Sequence, residues 1–322
     1  MDIVYTFNRA FLPQAAASIA SVCDSNETGE LCFYLLYTDL NDTDLHALDG
    51  YIRGRGAKAD FIRIGDVNGL FDFDFDTSGW NPIVLVRLCF EKILPEEVER
   101  VLYLDGDTIV RGSLESLWNT DMEAHPIAAV PEPTYAKERK AALGLSGLPY
   151  CNAGVLLFDL NRCRREHTGD KIIQFLKDHG GKLFANDQDA INGALCGNIH
   201  FLPPAYNYCN IYDQYPWRFF NRLTDYPYIT EEEYIACGKN PVIIHYLGEE
   251  RPWRIGNHHR FREDYEKALN ETPWKGQGME QGWRVYFLTW DVFNLLTKPF
   301  PQLRYRIITA MIPRMLQKRT KK

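Results

Sequence analysis

No stretch of the 322-residue chain approaches the ~20 apolar positions that a membrane-spanning helix needs. The N-terminus also lacks the basic region that opens a secretion signal, because Asp2 leads directly into the strand-like Ile3, Val4 and Tyr5. The eight cysteines form no C-x-x-C pair, and several sit in apolar runs such as Leu31-Cys32-Phe33. That pattern argues against a zinc knuckle or a disulfide frame and for free thiols in a reducing compartment. A cytoplasmic location is the expectation. Internal repeats and low-complexity segments are missing too. Positive charge is short overall, with 36 Lys and Arg against 43 Asp and Glu for a net charge of -7, which argues against general nucleic-acid binding. The exception is the C-terminus, where residues 303–322 carry Arg304, Arg306, Arg314, Lys318, Arg319, Lys321 and Lys322 and no acid.

The periodicities that are present describe an α/β protein. Ile3–Phe7, Leu31–Tyr37, Ala59–Ile64 and Val101–Leu104 read as strands, and Leu12–Val22, Asp42–Ile52 (capped near Asn41) and Val84–Leu94 as helices. Alternation of this kind predicts a mainly parallel, Rossmann-like sheet flanked by helices, with ligands beyond the carboxyl ends of the strands. Farther on, a strand is expected at Ala153–Phe158, helices at Lys171–Asp178 and Asp187–Leu195, and a strand at Val242–Tyr246. The alternating Phe71-Asp72-Phe73-Asp74-Phe75-Asp76 reads as a half-buried strand or loop with its phenylalanines inward, not as a metal cluster. Two amphipathic stretches close the chain. Trp283, Tyr286, Phe287, Trp290, Phe293, Leu295 and Leu296 form one, which suits either a packed helix or an interfacial one. Ile307, Ile308, Met311, Ile312, Met315 and Leu316 form the other, with Pro313 expected to kink or restart it. With its basic residues, this tail fits an anionic membrane surface.

The chemistry concentrates at Leu104-Asp105-Gly106-Asp107, which places two carboxylates at the end of an apolar strand. Side chains at i and i+2 share a face, so Asp105 and Asp107 converge. Two carboxylates aimed at one point repel unless a proton or a cation lies between them, and Mg²⁺ or Mn²⁺ suits oxygen ligands and phosphate. An Asp-rich turn explains the same residues.

Three further segments follow in order: Asn152-Ala153-Gly154-Val155-Leu156-Leu157, Asp187-Gln188-Asp189-Ala190-Ile191-Asn192, and His245-Tyr246-Leu247-Gly248 running on to Arg251-Pro252-Trp253. Together with the D-x-D they closely resemble glycosyltransferase family 8, the retaining nucleotide-sugar transferases that include bacterial lipooligosaccharide galactosyltransferases. The resemblance runs from Met1 to about Trp274. It implies a GT-A fold over 1–282 followed by the basic segment 283–322. It also implies a UDP-galactose or UDP-glucose donor, Mn²⁺ or Mg²⁺, and a glycan or glycolipid acceptor for the transferred hexose. Asp105, Asp107 and His245 take the positions of the family's metal ligands, with Gly106 between them. Gly248 and Arg251 take those of the pyrophosphate site, where the family commonly has lysine in place of Arg251. Arg87 matches a donor-contacting arginine, and Asn152, Ala153, Asp187 and Gln188 match the lining of the transferred sugar. Asp187 also reads as a helix N-cap. Thr6 and Asn8 occupy the base-reading segment, Asn8 standing where bacterial members carry aspartate. An amide at Gln188 is a poor nucleophile, which favours front-face transfer with Asp187 or Asp189 supporting the sugar. Two other readings of the D-x-D are a haloacid-dehalogenase-type phosphohydrolase and a non-catalytic sugar-nucleotide-binding protein.

Overall fold

The structure is a computed structural model describing residues 1–26 and 30–319, with the side chains of 313–319 outside that description. Among the described residues nine strands form, β1 (Asp2–Phe7), β2 (Cys32–Tyr37), β3 (Lys58–Arg63), β4 (Arg100–Leu104), β5 (Thr108–Val110), β6 (Ile127–Pro131), β7 (Cys151–Asp159), β8 (His200–Phe201) and β9 (Ile243–His245). Seven of them make one sheet in the order β3-β2-β1-β4-β7-β6-β8. Pairings from β3 across to β4 are parallel, as is β6 with β8, whereas β7 runs antiparallel to both its neighbours. Alternate residues feed opposite layers. Ile3, Tyr5, Phe7, Leu102 and Leu104 enter one core, and Val4, Val101 and Tyr103 the other. A sheet covered on both faces explains why these strands read as continuous apolar runs.

Two topological features build the site. The chain runs outward from β1 to β3 and then returns to β4 on the other side of β1, and the crevice at such a reversal is where open α/β sheets bind ligands. Thr6 and Asp105 lie there, at the carboxyl ends of β1 and β4. The second feature is a small antiparallel ladder in which Thr108 of β5 faces His245 of β9, with the Tyr246 amide donating to the Asp107 carbonyl at 3.0 Å. This ladder carries His245 to the D-x-D from far along the chain.

The helices α1 (Leu12–Ser25), α2 (Asp42–Gly54), α3 (Thr168–Asp178) and α4 (Asn186–Leu195) fall close to where periodicity places them. Asn41 caps α2 in a reciprocal box with Asp44. The expected helix at Val84–Leu94 differs: Pro82–Cys89 is 3-10, followed by one α-helical turn, Phe90–Ile93. Branched Val84 and Val86 weaken α propensity, and eight residues is long for a 3-10 run. The Phe-Asp alternation is a loop with Phe71 buried edge-to-face against Phe73 and Phe75, while Asp72 and Asp76 pair with Lys177 and Lys182.

At the C-terminus, α5 (Arg284–Thr297) packs through Phe287 and Thr297, and α6 (Pro301–Arg319) through Arg304 and Tyr305 among its described side chains. Helix α6 is continuous through Pro313, contrary to the expected interruption. Arg304 is buried instead of contributing to a basic surface. Its guanidinium donates to Asn294 and Thr297 and sits over the rings of Trp290 and Phe293. The expectations for Arg314, Met315, Leu316, Lys318, Arg319, Lys321 and Lys322 fall outside the described side chains. Val285, Leu288, Val292, Leu295 and Leu296 form an exposed apolar stripe on α5, while Phe287 on the other side is buried. Among the described residues no helix is long and apolar enough to cross a membrane. All eight cysteines are free, and only Cys196 is exposed.

Candidate active site

Asp105, Asp107 and His245 meet in space, with one ligand atom of each within 4.8 Å of the others. The His245 Nε2 lies 3.2 Å from Asp107 Oδ1 and 3.7 Å from Asp105 Oδ2. Burial alone would push the His245 imidazole down, but the Asp107 carboxylate outweighs it and the pKa rises. For Asp107, burial opposes the charge while His245 and then Arg251 favour it, and the net shift is downward. The Arg251 Nη2 stands 3.4 Å from Asp107 Oδ2. Gly248, three positions after β9 ends at His245, adopts φ 71°, which a side chain would disfavour.

The donor set suits a divalent cation. Asn207 Nδ2 donates to Asn152 Oδ1 at 2.8 Å, so Asn207 turns its Oδ1 toward His245 Nδ1 at 2.9 Å. The proton therefore sits on Nδ1, leaving Nε2 as the atom for a metal. Room is made by Gly154 on β7. A Cβ there would lie 2.1 Å from His245 Cε1 and 2.9 Å from Asp105 Oδ2.

Arg87 is no solvated helix charge, being only 5% exposed. It donates to the Ala153 carbonyl at 2.7 Å and to Asp105 Oδ1 at 2.9 Å, and pairs with Asp187 Oδ2 at 3.3 Å. The Tyr103 hydroxyl, from β4, donates to the Asp105 carboxylate and accepts from the Thr6 hydroxyl. Asp187 is not the N-cap that its position suggests. Helix α4 begins at Asn186 after Ala185, and the Asp187 carboxylate is used on Arg87 instead. Burial raises its pKa to about 6, against the opposing pull of Arg87.

Gln188 and Asn152 interlock. Gln188 Oε1 accepts from Asn152 Nδ2 at 3.2 Å and the Ala153 amide at 3.1 Å, while Nε2 donates to Glu132 and to the Tyr150 hydroxyl, both at 3.1 Å. Asp189 stands behind this layer. It is buried and accepts from Tyr135, Tyr150 and the Ala185 amide, so it braces the tyrosines beneath Gln188. One continuous chain of hydrogen bonds thus runs from His245 through Asn207, Asn152 and Gln188 to Tyr150 and Asp189. Asn8 accepts from the Phe11 amide at 3.2 Å, which occupies its carbonyl and leaves its NH₂ group for other partners. Gly106 lies against the Phe11 ring.

Three participants were not singled out from sequence. Glu132, whose pKa burial raises, joins the Gln188 and Asn152 amides, Asn207 orients His245, and Gly154 leaves space for the cluster. Only Gly154 carried a signal, as the third residue of the Asn-Ala-Gly segment. Glu132 and Asn207 belong to no motif.

Fold and site together define a glycosyltransferase of the GT-A class. The chain matches Glycosyl transferase family 8 over residues 2–255 and belongs to that family. It is 24% identical over 280 residues to General stress protein A of Bacillus subtilis strain 168, covering 81% of this chain and 95% of that protein. With the lipopolysaccharide glucosyltransferase WaaO of Escherichia coli K12 it shares 26% over 295 residues, covering 87% and 80%. The solved structure of galactosyltransferase LgtC, in complex with donor and acceptor sugar analogs, aligns with TM-score 0.72 at 22% identity, covering 88% of this chain and 99% of that one. Family membership removes the phosphohydrolase reading.

Proposed function

We propose that this protein transfers galactose or glucose from a UDP-sugar, with retention at the anomeric carbon, to a glycan or glycolipid acceptor. The observation that carries the proposal is the convergence of Asp105, Asp107 and His245 beside Arg251 and the Asn152–Gln188 amide pair. Asp105, Asp107 and His245 would hold Mn²⁺ or Mg²⁺, which supplies positive charge to a departing diphosphate. Arg251 adds guanidinium N–H donors for the phosphates, and Gly248 exposes backbone to them. Thr6 and Asn8, at the carboxyl end of β1, would face the base. Arg87 ties Asp105 to Asp187, holding both carboxylates in place. Asn152, Gln188 and Asp187 present amide and carboxylate groups to sugar hydroxyls.

Gln188 offers no nucleophile, since its amide oxygen is engaged by Asn152 and the Ala153 N–H. Transfer on the front face follows: the bond from the anomeric carbon to phosphate breaks as the acceptor oxygen bonds to that carbon. The acceptor proton passes to the leaving phosphate. The exposed apolar stripe of α5 supports docking at an anionic membrane surface, where a glycolipid acceptor would lie, and peripheral placement on the cytoplasmic face.

A donor screen with Mn²⁺ tests the reading by measuring UDP release from UDP-galactose, UDP-glucose and their N-acetyl forms, and the anomeric configuration of the product. UDP release from none of them, or an inverted product, refutes it.

A further inference from the structure

A second group of metal-ligating side chains lies away from the active site. Glu123, His125 and His200 bring one ligand atom each within 4.8 Å of one another. They come from two segments that the sheet holds in register, the turn entering β6 and the start of β8, where His200 pairs with Ala128. Strand β6 leads from this turn to Glu132 in the active site, so the two clusters sit at opposite ends of a strand of about 16 Å. The imidazoles of His125 and His200 are edge-to-face, with ring centroids 5.9 Å apart.

The groups are prepared as ligands. His125 Nδ1 lies 3.1 Å from the Met122 carbonyl. A carbonyl only accepts, so Nδ1 carries the hydrogen and Nε2 keeps its lone pair, the arrangement in which a backbone oxygen fixes the tautomer of a metal-bound histidine. Glu123 is held by Asp121, whose carboxylate accepts from the Glu123 amide at 2.8 Å, and its exposed side chain can close onto a shared ion.

We propose that Glu123, His125 and His200 form a second metal site, specific for an imidazole-preferring cation of the Zn²⁺ class. Two neutral imidazoles and one carboxylate match three-ligand zinc sites, with water completing the coordination. The carboxylate-rich Asp105, Asp107 and His245 set suits the harder Mn²⁺ or Mg²⁺, so the two sites select different ions. An ion here ties the two-residue edge strand β8 to the turn before β6 and acts on stability, independently of sugar transfer.

The test is calorimetric titration of Zn²⁺ into the full-length protein with Mg²⁺ in large excess, which fills the harder site. Wild type is expected to bind about one equivalent of Zn²⁺ that both His125→Ala and His200→Ala lose, with Tm rising on Zn²⁺ addition only in wild type. Glu123→Gln, at an exposed position, keeps the fold intact and weakens Zn²⁺ binding by about tenfold or more. Unchanged stoichiometry and affinity in the three variants overturns the proposal. So does a strong thiolate charge-transfer band when Co²⁺ replaces Zn²⁺, which would assign the ion to a cysteine such as the exposed Cys196.

Discussion

Substituting Gly154 by alanine adds one methyl group at the point where the candidate cation site is narrowest. The new Cβ would lie 2.1 Å from His245 Cε1, 2.6 Å from Nδ1 and 2.9 Å from Asp105 Oδ2, whereas ordinary contact begins near 3.4 Å. The imidazole would have to retreat by about 1.3 Å, the shortfall at its nearest atom. It cannot do so freely: the ring is 2% exposed, bonded to Asn207 at 2.9 Å and held by the β5–β9 ladder. Overpacking of this kind costs about 1–3 kcal/mol. A misplacement of about 1 Å in a reacting assembly costs on the order of 10²-fold in rate. Gly154→Ala is therefore expected to lower Mn²⁺ affinity and sugar transfer by about 10²-fold while the protein still folds. Mn²⁺ binding is read by electron paramagnetic resonance, transfer by UDP release and stability by urea unfolding. A double-mutant cycle isolates the cause, because the alanine should cost about 1 kcal/mol or more less in a His245→Ala background, where the ring it strikes is gone. Wild-type Mn²⁺ affinity in Gly154→Ala, or an equal stability cost in both backgrounds, would refute the reasoning.

Other consequences follow from the same geometry. Asp107→Ala removes a ligand and should abolish UDP release at every Mn²⁺ concentration without unfolding the chain; metal-independent transfer at the wild-type rate would contradict the proposed site. Asn207→Ala frees His245 to rotate and should weaken Mn²⁺ binding about 10–100-fold, with activity restored by added Mn²⁺. Asp187 has a native pKa of about 6 against an ordinary 3.8, so the native state retains a proton that the unfolded chain has released. Stability from this group is full below the unfolded value and falls as pH rises to the native one, a loss of about 3 kcal/mol from the shift. The stability of wild type relative to Asp187→Asn should decline between about pH 4 and pH 6, and a flat difference would show that Asp187 is not raised. Replacing Leu288 and Leu295 together by glutamine should reduce sedimentation with anionic vesicles and leave UDP release unchanged; undiminished sedimentation would remove α5 from membrane docking.

The strands and most helices were legible because their signals are local. Buried runs such as Val101–Leu104, the Asn41 cap and the motif order Asp105, Asn152, Asp187, His245 need no knowledge of what lies across the fold. Local signals misled where partners are distant. Asp187 has the position of an N-cap but bonds Arg87, and Arg304 counts as tail charge yet lies buried against Trp290 and Phe293. Pro82–Cys89 winds as 3-10 where helical spacing alone suggested an α-helix.

By itself the sequence determined the class of fold, the acidic pair at the end of β4 and the membership that follows from four motifs in order. Tertiary structure decided which groups touch. Pairing of Thr108 with His245 brings the histidine to the carboxylates, and Gly154 leaves the space they share. Asn207 sets the tautomer, and Glu132 joins the Gln188 and Asn152 amides. Such contacts span long sequence separations and depend on register and on excluded volume, and neither is written in the spacing of residues along one strand or helix.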